Sequence, residues 1–360
     1  MINRKLGVIL LSALMLFTSA NIALAAQTQI TLPETDEKAD EVSAFVTKKM
    51  VIPEGSAIPS ATFKFQAEGV TSDAPTASIA DISFGSTSPY KEVKAENGTL
   101  AYEFTEKAPV KFGTFLHAGV YEYTVKEVKD IYKGDGTFIY SDDIYTLSVY
   151  VANKSNGYLY VKSITAKKDN TKQPEIIFTN TFQKSASLTI EKKTEGLMAD
   201  KSKAFDFTIK FSAPALSSQT DFSGNIDGEE ILCTLDKEIP FKLKDGQKLV
   251  FKNLPVGTRY IVTEKGAEDG YTPMVSVIEN GIKLEDKYTN ECSDLSSVKN
   301  NPYGNLVGEK NNYVTFVNSH QDVPITGINI NNLPFFVMIA VTVIAFAALA
   351  LFKRKRDSNT

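Results

Sequence analysis

Tryptophan is absent from this chain of 360 residues, and cysteine and histidine occur only twice each. Cys233 and Cys292 are enough for one disulfide and too few for a disulfide scaffold. His117 and His320 lie far apart, and no Cys/His cluster has ligand spacing, so neither a metal site nor a cofactor is expected. A basic surplus is also missing: 39 Lys and Arg stand against 43 Asp and Glu, a formal net charge of −4. Six of the basic residues and one acidic residue lie in the two ends, so the stretch between them is more acidic still. That balance excludes the basic footprint of a nucleic-acid partner. Gly-x-Ser-x-Gly, His-Glu-x-x-His and a catalytic Cys–His context are all lacking, which leaves a surface hydrolase without support.

Long apolar runs are confined to the ends. Residues 1–25 carry Arg4 and Lys5, then "LGVILLSALMLF", then the small residues of "ALA", the pattern of a cleaved secretory signal peptide. Leu333 to Phe352 is a run of 20 residues without a charge, long enough for a transmembrane helix, and "KRKR" follows it at Lys353 to Arg356. Positive residues stay cytoplasmic, so the chain is expected to be exported through the Sec pathway with its C-terminus held in the membrane. About 300 exported residues suggest two domains.

Between the ends, short runs such as "ATFKFQ", "GVYEYTVKEV", "IYTLSVYVAN" and "AFDFTIKFS" alternate apolar and polar residues, separated by turns such as "NG" and "DG". Period-two alternation with such punctuation predicts an all-β chain built of immunoglobulin-like β-sandwiches. The pattern is written twice. "AFVTKKM" matches "LTIEKKT", "GVYEYTVKEV" matches "GTRYIVTEKG", and "EIIFTNTF" matches "YVTFVNSH", in the same order. The expected division is a signal peptide (1–25), two tandem domains (26–182 and 183–320), a short motif (321–327), a linker and membrane span (328–352) and a basic tail (353–360).

Side chains two apart on a strand share a face. Following that stride, Val46 leads to Lys48 and Ile190 to Lys192. Val125 leads to Glu127 and Val262 to Glu264; Phe178 leads to Asn180 and Phe316 to Asn318. Six inward faces thus end in a polar residue, and the types agree between copies. Lys49 and Lys193 point to the opposite face. Buried unpaired charges are expensive, so a repeated Lys–Glu–Asn set calls for a chemical role. Burial favours a neutral amine and a protonated acid. The amine is then a nucleophile and the side-chain amide an electrophile. The acid is placed to polarise the amide carbonyl and to shuttle protons as ammonia leaves. The product is a Lys–Asn isopeptide bond between the first and last strands of each domain, made once and without an enzyme.

These paired segments resemble the isopeptide-linked, immunoglobulin-like domains of Gram-positive pilins. "YIVTEKGAEDGYTP" is similar to their E-box, the glutamate-bearing strand followed by Gly-Tyr. The layout is most similar to the two-domain streptococcal T-antigen type of major pilin, over essentially the whole chain. The resemblance implies that Lys48 joins Asn180 with help from Glu127, and that Lys192 joins Asn318 with help from Glu264.

"VPITG", Val323, Pro324, Ile325, Thr326 and Gly327, together with the span and basic tail, resembles the sorting signal of sortase substrates, with Val323 where the usual motif has Leu. It implies that a sortase cysteine attacks the Thr326 carbonyl and releases Gly327 onward. An amine of cell-wall precursor or of another subunit then takes the acyl group. "TLPET" (Thr31 to Thr35) lacks the Gly, the span and the tail, and reads as an N-terminal extension. Tyr-Pro-Lys, the acceptor motif of many pilins, is missing. The T-antigen type places its acceptor just before the last strand of the first domain, which in "NTKQPEIIFTN" implies the loop residue Lys172, with Lys168 and Lys167 behind it.

The function expected is a covalent pilus shaft subunit on the cell wall of a Gram-positive bacterium, not an enzyme in the turnover sense. Its partners would be sortase, neighbouring subunits and peptidoglycan or a basal pilin, with the membrane involved only in the precursor. The competing reading is a monomeric wall-anchored adhesin built from the same domains. An acceptor lysine separates the two, and the short two-domain build favours the shaft.

Overall fold

The computed structural model describes residues 42–94, 99–212, 216–266, 270–289, 293–298 and 301–320, with helical positions 338–339, 341–346 and 348 near the C-terminus. The secretory signal, "TLPET", the "VPITG" motif, Cys292 and the basic tail lie outside the described residues. Among the described residues no helix is long and apolar enough to cross a membrane.

The described residues between 42 and 320 form strands, turns and loops. The longer strands of the first sandwich, with the short β7, are β1 (Ala44–Pro53), β2 (Ala61–Gly69), β3 (Leu100–Phe112), β4 (Gly119–Val128), β5 (Ile144–Asn153), β6 (Leu159–Lys168), β7 (Thr171–Gln173) and β8 (Ile176–Gln183). One sheet runs β3-β1-β8, with short strands on both edges; the other runs β7-β6-β5-β4-β2 with Ile82–Phe84 outermost. In β4 the alternation is plain: Tyr121, Tyr123 and Val125 are buried while their neighbours face outward. Those rings pack with Phe63, Phe104 and Phe178 into the first core.

The second sandwich repeats the plan with β9 (Ser185–Glu195), β10 (Phe205–Ser212), β11 (Lys248–Pro255), β12 (Arg259–Glu264), β13 (Tyr271–Glu279) and β14 (Tyr313–His320). One sheet runs β11-β9-β14-β13; the other is centred on β10 and β12. Leu188, Ile190, Phe207, Phe211, Phe251 and Phe316 lie in its core. Cys233 is buried in that core and has no disulfide partner among the described residues.

In both sandwiches the first and last strands are parallel neighbours, β1 with β8 and β9 with β14. The glutamate-bearing strand, β4 or β12, belongs to the facing sheet. This arrangement is what brings three distant segments together.

Lys184 alone separates β8 from β9. The domains also meet away from this connection. Arg259 donates from Nη2 to Glu54 Oε2 at 2.5 Å, and Glu309 accepts at Oε2 from the Ala57 N–H at 2.9 Å. The Glu309 N–H donates to the Gly55 carbonyl at 3.0 Å. Gly55 has φ +87°, and a Cβ there would stand 3.0 Å from the Gly308 Cα, so the turn at residue 55 needs glycine twice over.

Candidate functional site

Lys48, Glu127 and Asn180 meet inside the first sandwich, and Lys192, Glu264 and Asn318 inside the second. Both lysines and both asparagines have no solvent exposure at all, and the glutamates are buried with them. Lys48 Nζ lies 2.7 Å from Glu127 Oε1, and the same oxygen accepts from Asn180 Nδ2 at 2.8 Å. In the second domain Lys192 Nζ donates to Glu264 Oε1 at 3.0 Å, and Asn318 Nδ2 donates to that oxygen at 2.6 Å. One carboxylate oxygen therefore touches both the amine and the amide nitrogen, twice over.

The strand register produces this. Lys48 is opposite Phe178 and Met50 opposite Asn180; Lys192 is opposite Phe316 and Thr194 opposite Asn318. Lysine and asparagine are thus offset by one inward position in each domain. Across the sandwich, Glu127 is in register with Phe65 and Glu264 with Phe207.

The surroundings are apolar. Lys48 Nζ stands 4.5 Å from the centre of the Phe63 ring, and Lys192 Nζ 4.2 Å from that of Phe205. Burial pushes the Lys48 amine down to about 8 against the opposing pull of Glu127, and the Lys192 amine down to about 8 against Glu264. Burial likewise raises the Glu127 carboxyl above its ordinary value, against the attraction of Lys48. An amine that burial makes easier to deprotonate, beside a carboxyl group and a carboxamide, has the components for acyl transfer to nitrogen.

The Phe-x-Phe strands are visible in the sequence as a repeat, but their role as the lining of the lysine pocket is not. A second residue escaped sequence reading altogether. The Ser141 N–H donates to Asn180 Oδ1 at 2.9 Å. An N–H can only donate, so the atom it meets is the carbonyl oxygen, and the amide nitrogen is the end turned to Glu127. The glutamate polarising the amide carbonyl, expected from sequence, is not the geometry found: Glu127 and Glu264 each contact the amide nitrogen. A backbone donor leaves no trace in side-chain identity.

The lysines read as outward-facing are so placed. Lys49 reaches Glu103 at 3.2 Å and Lys193 reaches Glu191 at 3.4 Å, away from the buried sets. Lys172 is exposed, but it is not in a loop. It sits in β7, paired with Lys167 of β6 through a two-residue turn. Asp169 and Asn170 have φ of 50° and 61°, the pair of left-handed positions that closes a tight hairpin and that Asp and Asn tolerate. Lys168 is held by Asp143 at 2.6 Å. Among the described residues no group of His, Cys, Asp and Glu has the arrangement of a metal site.

The two sandwiches, each with one buried Lys–Glu–Asn set joining neighbouring strands of one sheet to the facing sheet, fall on two separate family matches. Residues 45–183 match the family model described as a Spy0128-like isopeptide containing domain. Residues 186–320 match that of a domain of unknown function, DUF7601. The chain is 29% identical to the Pilin of Streptococcus pyogenes serotype M1 over 283 residues, covering 75% of this chain and 78% of that one. A segment of 82 residues is 38% identical to the pilus tip adhesin Cpa of Streptococcus pyogenes, covering 23% of this chain and 12% of the adhesin. Against the crystal structure of the major pilin from Streptococcus pyogenes the identity is 25%, with 78% of this chain and 98% of that chain covered and a TM-score of 0.35. The similarity to the streptococcal pilin extends over three quarters of the chain, and the match to the isopeptide-containing domain lies in its first half.

Proposed function

We propose that this protein is a pilus shaft subunit, joined covalently to its neighbours by a sortase and stiffened by two internal bonds, Lys48–Asn180 and Lys192–Asn318. The observation that carries the reading is the single carboxylate oxygen shared by amine and amide nitrogen in both domains.

The reaction balances without a cofactor. The lysine passes one proton to the glutamate, giving amine and acid. Nζ attacks the asparagine Cγ, and the Cγ–Nδ2 bond breaks. The glutamate, touching both nitrogens, gives its proton to the leaving nitrogen and accepts another from the attacking one. Ammonia departs, an amide joins the two strands, and the glutamate remains protonated. The chemistry happens once per site and acts only on the chain itself.

Assembly follows from the C-terminal segment. Sortase cleaves after Thr326, and the acyl group passes to Lys172 of another subunit, or to peptidoglycan or a basal pilin at the wall. Donor and acceptor are separate points on the subunit, so the linkage is head-to-tail and open-ended, which generates a filament. Its place is the bacterial cell surface, after Sec-dependent export.

The intact mass of the exported region tests the internal bonds. Each one expels ammonia and lowers the mass by roughly 17 Da. Two losses, with cross-linked tryptic peptides joining the β1 and β8 segments and the β9 and β14 segments, are expected. A mass equal to that of the plain sequence overturns the reading.

A further inference from the structure

We propose that the backbone N–H of Ser141 is the group that polarises the Asn180 carbonyl during formation of the first bond, leaving Glu127 to act as the proton relay. The proposal rests on the isopeptide reading above and assigns a role within it.

Attack on Cγ turns the Asn180 carbonyl oxygen into an oxyanion. A donor aimed at that oxygen before reaction stabilises the charge as it develops. The Ser141 N–H, 2.9 Å away, is such a donor. The Glu127 oxygen that contacts the site meets Nδ2 and Nζ instead, where protons must leave one nitrogen and reach the other. The carbonyl donor and the relay thus contact opposite ends of the amide, and the Ser141 N–H also faces the Glu127 carboxyl, which it draws down against the effect of burial.

The donor is held in place. The Ser141 side chain accepts from the Asp143 N–H at 3.3 Å, and Asp143 is fixed to Lys168 of β6 at 2.6 Å. Tyr140, the preceding residue, packs edge-on to Phe63, the ring that covers Lys48. The segment that supplies the N–H is therefore tied both to the facing sheet and to the wall of the lysine pocket.

The second domain has the same relay and a different carbonyl environment. Asn318 Oδ1 is buried and accepts no hydrogen bond from the described residues. It therefore supplies an internal reference within the same molecule.

The test follows both bonds in the full-length chain, made by cell-free synthesis, quenched in denaturant at intervals, digested and assayed for each cross-linked peptide. Replacing the residue 141 amide by an ester, through incorporation of the α-hydroxy analogue of serine, removes the N–H and keeps the side chain. Ser141→Pro removes the N–H genetically, and Ser141→Ala retains it. The ester and Ser141→Pro chains are expected to form the Lys48–Asn180 bond about 100-fold more slowly, the scale of losing one oxyanion donor. The second bond should form at its usual rate in all of them, and Ser141→Ala, which keeps the N–H and loses one of the contacts that hold it, should slow the first bond far less than the ester does. An ester chain that forms the first bond at the unmodified rate overturns the proposal. So does equal slowing in Ser141→Ala, which would trace the effect to the loop's own hydrogen bond. Absence of both bonds from the unmodified chain overturns the isopeptide reading itself.

Discussion

Lys48 and Asn180 extend from parallel neighbouring strands one inward position out of register, so that the lysine lies across from Phe178 and reaches diagonally toward the amide. Lys192 and Asn318 repeat the offset across from Phe316. A direct pairing would set both polar groups side by side at one level of the sheet. The offset instead lets a carboxylate from the facing sheet contact the two nitrogens at once.

Loss of either glutamate is expected to abolish one bond and spare the other. Glu127→Ala should lose the Lys48–Asn180 peptide and keep Lys192–Asn318; Glu264→Ala should do the reverse. The closed loops exceed 100 residues, so each missing bond is expected to lower stability to unfolding by on the order of 5 kcal/mol. Peptide mapping and denaturant titration of the two variants measure both effects.

The rate of bond formation should depend on pH through the proton that each Lys–Glu pair holds. The reactive pair carries one proton, shared as amine and acid. Above about 8, where Lys48 and Lys192 lose theirs, the amine stays nucleophilic but no acid remains for the leaving nitrogen. In acid, both groups are protonated and the amine is blocked; in the first domain that limb lies above the ordinary carboxylate range because burial raises Glu127. The profile is therefore bell-shaped and belongs to the pair. Refolding denatured, unbonded chain into buffers across this range, with mass loss as the signal, checks it; a rate still climbing above pH 9 contradicts the relay.

The filament linkage has its own signature. Cell-surface material should migrate as a denaturant-resistant ladder. Lys172→Ala should collapse that ladder to monomer with both internal bonds intact. Lys172 stands exposed in β7, while Lys168 is engaged by Asp143. A ladder that persists in Lys172→Ala moves the acceptor to Lys168 or Lys167. No ladder at all in the unmodified strain favours the monomeric adhesin.

Arg259 and Glu54 make the junction between domains testable. Arg259 is nearly buried, and its other end meets the Gly304 carbonyl at 3.3 Å. Glu54→Gln leaves that cation without its anion, which should weaken the junction by about 3 kcal/mol. Trypsin cleavage after Lys184, the one residue between the sheets of the two domains, is expected to accelerate. Unchanged cleavage would show that the hydrogen bonds of Glu309 hold the junction unaided.

The sequence by itself determined the all-β class, the duplication and the identity of the six inward polar residues, because strand periodicity is local. A side chain two positions from a buried valine faces the same way whatever the rest of the chain does. Tertiary structure decided how those six divide into sets that touch. Only the strand order makes β1 and β8 parallel neighbours, and only the stacking of two sheets brings Glu127 over them. The same holds for what sequence reading misplaced or missed. Lys172 lies in a hairpin strand because Asp169 and Asn170 accept left-handed φ, and β6 offers it an edge to pair with. The donor at Ser141 is a backbone group, identical in every residue but proline, and its position is set entirely by the fold.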